Sequence, residues 1–236
     1  MIRSAIRQYL ARKFKVPEIP VALNNLALLG FSPNIIFDVG AYQGDFAKCC
    51  CKIFPNAQVV CFEALEHKVQ QLEKTFINNT KIRVLPTLLG AEIKEGVPLH
   101  NVETASSILL EHIPQNFPVT FHPMTTVDEI VANNFDGRSP DLLKIDVQGY
   151  ELEVLKGAEN TLQKIQVILV EINLLDIHQN VPLFAEVVGW LNQRDWVAYD
   201  ICGLTRRPLD QALWQADLIF VHRDSLLRKD KRWGKS

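Results

Sequence analysis

Short apolar runs alternate with amphipathic stretches along most of the chain. Residues 34–38 (NIIFD) and 58–63 (QVVCFE) predict buried strands, with a helix over 45–53 between them, closed by Pro55. A second helix is expected over 67–78 and a third strand over 82–85. The same rhythm returns after residue 141. It predicts a strand over 142–146, a helix over 151–164, a strand over 166–172 and a helix over 184–195. Continuous apolar strands separated by helices imply a parallel sheet covered on both faces. Two final strands, 196–201 and 217–221, have only a loop between them. No helical crossover fits there, so at least one of the two runs antiparallel.

The pattern breaks over residues 86–126, which hold Pro86, Pro98, Pro114, Pro118 and Pro123. Alternating runs at 97–100 and 119–122 suggest hairpin strands in an irregular insertion. A helix over 126–133 follows, with Thr125 or Thr126 as cap and Glu129 completing a capping box with Thr126. Before the core, Ile2, Ile6, Tyr9, Leu10 and Phe14 recur at helical spacing among basic residues. Pro17 and Pro20 are expected to stop that helix, and 21–29 to form a second one ending at Gly30. The division is then an N-terminal helical extension over 1–33, a core over 34–222 carrying the insertion, and a polar basic tail over 223–236. A basic amphipathic helix packs on its domain as a flap or touches a membrane peripherally.

Composition narrows the class. A chain of 236 residues, 47% hydrophobic and 22% charged, suits one globular core and excludes a disordered chain. It has no apolar run long enough to span a bilayer, so no integral membrane contact is expected. The net charge of −2 lacks the basic excess of a nucleic-acid binder. Cys49, Cys50 and Cys51 are consecutive, which prevents them from sharing one tetrahedral metal site. The N-terminus lacks a signal-peptide pattern, so the cytoplasm is expected. Oligomeric state is left open by the sequence.

The chemistry concentrates at predicted strand ends. Asp38-Val-Gly-Ala-Tyr-Gln-Gly44 follows a buried strand and opens a helix, where ligands sit in open parallel sheets. Gly40 and Gly44 let backbone approach a ligand closely. The loop is not GxGxxG, and the Asp38 carboxylate would repel a diphosphate while suiting a cationic ligand. Glu63, at the end of the next strand, suits the two hydroxyls of a ribose. Together they point to a nucleoside with a positive centre, a description that S-adenosylmethionine fits. The segment Asp141-Leu-Leu-Lys-Ile-Asp-Val-Gln-Gly-Tyr-Glu151 places Lys144 and Asp146 on one face at another strand end, with Glu151 in the first turn of the next helix. His178 falls on the loop after the following strand, where a histidine could remove a hydroxyl proton.

The segments DVGAYQG, CFEAL, DLLKIDVQGYELEVLKGA, VILVEIN and QADLIFVHR, in this order, resemble FkbM-type methyltransferases over roughly residues 34–222. The resemblance implies a class I methyltransferase (Rossmann-like) α/β fold, a seven-stranded mostly parallel sheet of order 3-2-1-4-5-7-6 with strand 7 antiparallel and helices on both faces. It implies S-adenosylmethionine as cofactor and O-methylation of a sugar, glycan or small natural product. Asp38, Gly40 and Gly44 would then line the methionine end, Glu63 would hold the ribose, and Leu88, Leu89 and Gly90 would edge the adenine. Residues 104–107 (TASS) would close over the site, and Gln215 and Asp217 would form a structural final-strand signature. The chain departs from the family in Gln148, where Glu is commoner, and in Ala64, where Pro is.

In the implied order Asp38, Asp146 and Glu171 line one edge, and three acids so close need a cation. The ligand's own positive charge, Lys144 or a divalent metal could supply it, and no metal ligand set is assigned. Asp146 is expected to orient the acceptor hydroxyl, and Glu171 or His178 to take its proton. Two other readings are an inactive methyltransferase-like scaffold and a nicotinamide-dependent oxidoreductase.

Overall fold

A computed structural model describes residues 13–14, 16–100, 106–112 and 118–234. Helix α1 (Ile19–Leu28) precedes strand β1 (Ile35–Val39), α2 (Asp45–Ile53), β2 (Gln58–Glu63), α3 (Glu66–Phe76) and β3 (Ile82–Pro86). Three short strands follow, β4 (Leu88–Leu89), β5 (Lys94–His100) and β6 (Val119–Thr125). Then come α4 (Val127–Asn134), β7 (Leu142–Ile145), α5 (Glu151–Lys156), α6 (Glu159–Leu162), β8 (Val167–Asn173), α7 (Phe184–Asn192), β9 (Trp196–Arg206) and β10 (Leu213–His222).

The main sheet has seven strands in the order β3-β2-β1-β7-β8-β10-β9. The expected order appears once the three inserted strands, which form their own small sheet β4-β6-β5, are left out of the numbering. Strands β3, β2, β1, β7 and β8 are parallel, and β10 is antiparallel to both of its neighbours. The central parallel strands are mostly apolar because both faces are covered: β1, β7 and β8 have no exposed residue. On one face Phe37, Phe62, Ile145, Val170 and Phe220 pack against α4 to α7. On the other Ile36, Cys61, Leu169 and Ile219 pack against α1 and α2. Asp38, Lys144 and Glu171 alternate into this second face at its C-terminal end.

Four sequence expectations are corrected in detail. Pro20 lies within the first turn of α1, where its missing N–H costs nothing, instead of ending a preceding helix. The helix expected over 151–164 is broken into α5 and α6 at Gly157, which abuts the backbone of Gly90; a Cβ at Gly157 would come within 2.0 Å of the Gly90 carbonyl oxygen. Thr126 caps α4 by accepting from Glu129 N at 3.1 Å, but the Glu129 carboxylate accepts from Asn133 instead of closing the box. The last two strands extend well beyond 196–201 and 217–221 into one long hairpin. The amphipathic pattern over residues 2–14 lies almost wholly outside the described residues.

Gly157 therefore marks where the insertion docks on the core. Gly157→Ala is expected to destabilise the protein by about 1–3 kcal/mol, the usual cost of overpacking. Its denaturant midpoint should fall with an unchanged slope.

Candidate active site

The C-terminal edge of the parallel strands opens into a cleft of about 150 Å³. Gly40, Glu63, Leu88, Leu89 and Asp146 all line it. Gly40 is at φ +77°, and a Cβ there would lie 1.8 Å from the Asp146 carbonyl oxygen. Only glycine lets the β1 and β7 ends close on each other at this point.

Glu63 is fixed by the loop it faces. One carboxylate oxygen accepts from Tyr42 N and the other from Leu65 N, both at 3.0 Å. Burial raises its pKa against these backbone hydrogen bonds. Each oxygen keeps a second acceptor position for a ligand hydroxyl. Beside it, Tyr42 carries the ammonium of Lys68 at 4.2 Å from its ring centre. Tyr42, Lys68, Leu99, Ile108 and Tyr150 also line the cleft, and residue-by-residue reading missed them. Tyr42 had a signal, since it lies inside DVGAYQG; Lys68 and Leu99 had none, because distant segments bring them in.

Three expected cofactor residues lie elsewhere. Asp38 is fully buried behind the cleft lining and faces Lys144 across the β1–β7 register. Gly44 begins α2 at φ +76°, and a Cβ there would press on the Phe76 ring at 2.5 Å. Gly90 packs on Met124, whose sulfur would be 2.3 Å from an added Cβ. Both glycines shape the walls rather than the lining.

Lys144 is the electrostatic hub. Its Nζ lies 3.1 Å from Asp38 Oδ1 and 3.4 Å from Asp146 Oδ2, and donates to the Gly40 carbonyl at 2.9 Å. Burial alone would lower the pKa of this ammonium, but Asp38 and Asp146 outweigh burial and raise it. Asp146 retains a side chain about one-third exposed to the cleft. The Gln148 amide donates to Asp146 Oδ1 at 2.9 Å and to Glu171 Oε1 at 2.8 Å. Gln215 donates to the same Glu171 oxygen at 2.8 Å. Burial and neighbouring Asp146 push the Glu171 carboxyl well up. Glu171 is thus an acceptor inside an amide network, away from the cleft lining.

The turn after β7 is braced from both sides. Buried Glu151 accepts from Val147 N and Gly149 N. Ser107 Oγ donates to the Gln148 carbonyl at 2.7 Å, and Ser106 lines the cleft. The described half of the TASS run therefore does lie against the site. His178 does not line the cleft: it is 2% exposed, in a loop bridged to Glu111. Burial lowers its pKa. Asp217 sits opposite Glu171 in register, its carboxylate lying over Gly203, where a Cβ would come within 1.8 Å of Oδ2. Burial pushes the Asp217 carboxyl up to about 6. Among the described residues no group of three or more His, Cys, Asp or Glu is placed to hold a metal ion. The cysteines are free thiols, and burial pushes Cys49 up to about 11.

The FkbM methyltransferase domain model matches residues 38–197, more than half of the chain. The chain belongs to the FkbM methyltransferase family. S-adenosylmethionine is the cofactor of this family, which displaces the nicotinamide reading. A curated relative, the hexuronic acid methyltransferase AglP of Haloferax volcanii, is 28% identical over 151 residues. The match spans 59% of this chain and 56% of that protein. Two solved structures share the fold. Magnesium protoporphyrin IX methyltransferase from Synechocystis, with bound S-adenosylmethionine, is 10% identical at TM-score 0.51, covering 94% of this chain and 81% of that one. TrmK from M. capricolum, in complex with S-adenosylhomocysteine, is 12% identical at TM-score 0.50, covering 86% and 68%. The class I methyltransferase fold is thereby established.

Two measurements test the electrostatics of this family member. Lys144→Met leaves Asp38 buried without a cation, and is expected to cost about 3–5 kcal/mol in chemical denaturation. Adding Asp38→Asn should recover most of that loss. Asp217 gives a pH signature. Its folded-state pKa lies above the ordinary 3.8, so the folded state holds the extra proton between about pH 4 and pH 6. Unfolding free energy should therefore fall as pH rises through that window, by up to roughly 3 kcal/mol, and level off above it. Asp217→Asn should remove this part of the slope, making the variant relatively more stable at pH 7.5 than at pH 4.

Proposed function

We propose that this family member transfers a methyl group from S-adenosylmethionine to a hydroxyl oxygen of a sugar or glycan. The observation that carries the reading is one cleft with Glu63 and Asp146 lining it from opposite sides of Gly40. The cleft fits the cofactor chemically. Glu63 has free acceptor positions for ribose hydroxyls, Leu88, Leu89, Leu99 and Ile108 supply apolar wall, and Gly40 allows close backbone approach. Bound there, the cofactor supplies an already activated methyl on a sulfonium. Asp38 and Asp146 together exceed Lys144 by one negative charge, which suits a cationic ligand.

What remains for the protein is to orient the acceptor and move one proton. Asp146 is the residue we assign to both tasks. It lines the cleft, and Lys144 and Gln148 fix its two oxygens. A hydroxyl bound to it passes its proton to the Asp146 carboxylate as the new bond to carbon forms. Glu171 and His178, the other candidates for that proton, do not line the cleft, so we assign Glu171 to positioning Gln148. Asp38 likewise acts through Lys144. The sugar acceptor is supported by the hexuronic acid named for the AglP relative.

The test combines binding and turnover. Glu63→Ala is expected to weaken S-adenosylhomocysteine at least tenfold in calorimetry, through loss of charge-assisted hydrogen bonds of about 1.5–3 kcal/mol each. Asp146→Asn should keep that affinity within about tenfold, while single-turnover methylation of a panel of glucose, glucuronic acid and their methyl glycosides drops roughly 10²-fold. EDTA treatment should leave the wild type active. Unchanged affinity in Glu63→Ala would remove the ribose assignment. Full turnover in Asp146→Asn would remove the proton assignment and point to an acceptor oxygen that is already ionised, such as a carboxylate.

A further inference from the structure

A second surface lies at the opposite edge of the sheet. There the end of α1 meets the chain that follows β10, and Leu29, Gly30 and Phe31 share a groove with Leu226 and Leu227. This edge carries large apolar side chains in water, Leu28 at 84% and Leu226 at 82% exposure, and Trp233 in the tail that follows is fully exposed. The tail that presents them is pinned. Tyr199 Oη donates to the Leu227 carbonyl, and Leu227 packs in the core cluster that also holds Ile19 and Ala27. Helix α1 bears no charged residue at all.

The two ends of the sequence are basic. Residues 1–15 and 223–236 hold 11 of the 25 Lys and Arg but only two of the 27 Asp and Glu. The chain between them is therefore strongly acidic, and the small net charge of −2 hides a marked separation. Of the acids on this edge, Asp141 accepts from Asn34 N, Ile35 N and Gln166, Asp195 faces Arg223, Asp230 is paired with Arg232, and Asp224 lines the groove. Lys229 and Lys231 face no carboxylate among the described residues.

We propose that this edge docks on an anionic lipid surface, with Leu28, Leu29, Leu226 and Trp233 entering the interface and the basic tail meeting the headgroups. Exposed leucines and tryptophan beside unpaired lysines are the composition of an interfacial anchor. Phosphate backbones of nucleic acid would use the lysines but leave the leucines in water. The consequence is orientational. The groove is at the N-terminal ends of β1 and β8 and the cleft at their C-terminal ends, about 20 Å away along strands of six or so residues. Docking leaves the cleft facing away from the lipid.

Vesicle co-sedimentation of the full chain tests this independently of any methyl transfer. At low ionic strength, binding to phosphatidylcholine vesicles containing about a quarter phosphatidylglycerol should exceed binding to pure phosphatidylcholine at least tenfold. It should weaken with added salt. Leu28→Asp with Leu226→Asp should lower the affinity about tenfold or more, as should Lys229→Glu with Lys231→Glu. Both double variants should bind S-adenosylhomocysteine as the wild type does, which establishes that they are folded. Equal binding to the two vesicle types, or leucine variants that sediment like wild type, would overturn the proposal. So would a self-association in analytical ultracentrifugation that Leu28→Asp abolishes, which would assign the edge to a second copy. Retention of single-stranded RNA without vesicle binding would assign it to nucleic acid.

Discussion

A buried ammonium between two carboxylates holds this site together. Lys144 reaches Asp38 on the neighbouring strand and Asp146 just past its own strand, and its third contact is the Gly40 carbonyl. Those three partners belong to the two chain segments that form the floor of the cleft. Removing Lys144 leaves the Asp38 carboxylate uncompensated where water does not reach, and such a loss is far costlier than an exposed ion pair is worth. The triad thus specifies geometry more than it adds stability. It fixes how far apart the ends of β1 and β7 stand. Gly40, which has no room for a Cβ against Asp146, then sets how closely they meet.

Most of the fold was legible because the parallel strands are short, apolar and separated by helices. The bounds of α2 and β2 follow directly from residues 45–53 and 58–63. What was not legible depended on contacts between distant segments. Gly157 reads as an ordinary helical residue until the Gly90 backbone is placed against it. The pairing that lengthens β9 and β10 continues past any apolar run, because backbone hydrogen bonds sustain a hairpin whose outer side chains are exposed. In the site, Glu63 and Asp146 were recognisable as polar residues at strand ends. Asp38 had the same signature, yet it faces inward because Lys144 lies one strand away on the same face.

The Gln148 departure from the family's commoner Glu gains a physical meaning from its neighbours. Its amide nitrogen serves Asp146 and Glu171 at once. A carboxylate in its place would set a third acid between two others, with only acceptors facing acceptors. One proton or an extra cation would then be needed to hold the turn. An amide donates without any ionisation, so the network is complete with Lys144 as its cation. The change therefore favours an intact, ordered site and gives no support to a scaffold that has lost its chemistry.

The two edges of the sheet also divide the chain's charge. Asp38, Glu63, Asp146, Glu171 and Asp217 collect at the C-terminal edge, whereas Leu226 and the start of the basic tail lie at the other. An acidic cleft attracts a cationic cofactor but repels an anionic surface, since like charges brought within a Debye length of about 8–10 Å are poorly screened. The basic edge attracts that same surface. Both forces rotate the molecule in one sense, turning the cleft toward solution, where a water-soluble cofactor and acceptor reach it. An acceptor carrying its own negative charge would have to present an oxygen to Asp146 while keeping that charge outside the acidic edge. The site thus places a constraint on where the acceptor's charge lies.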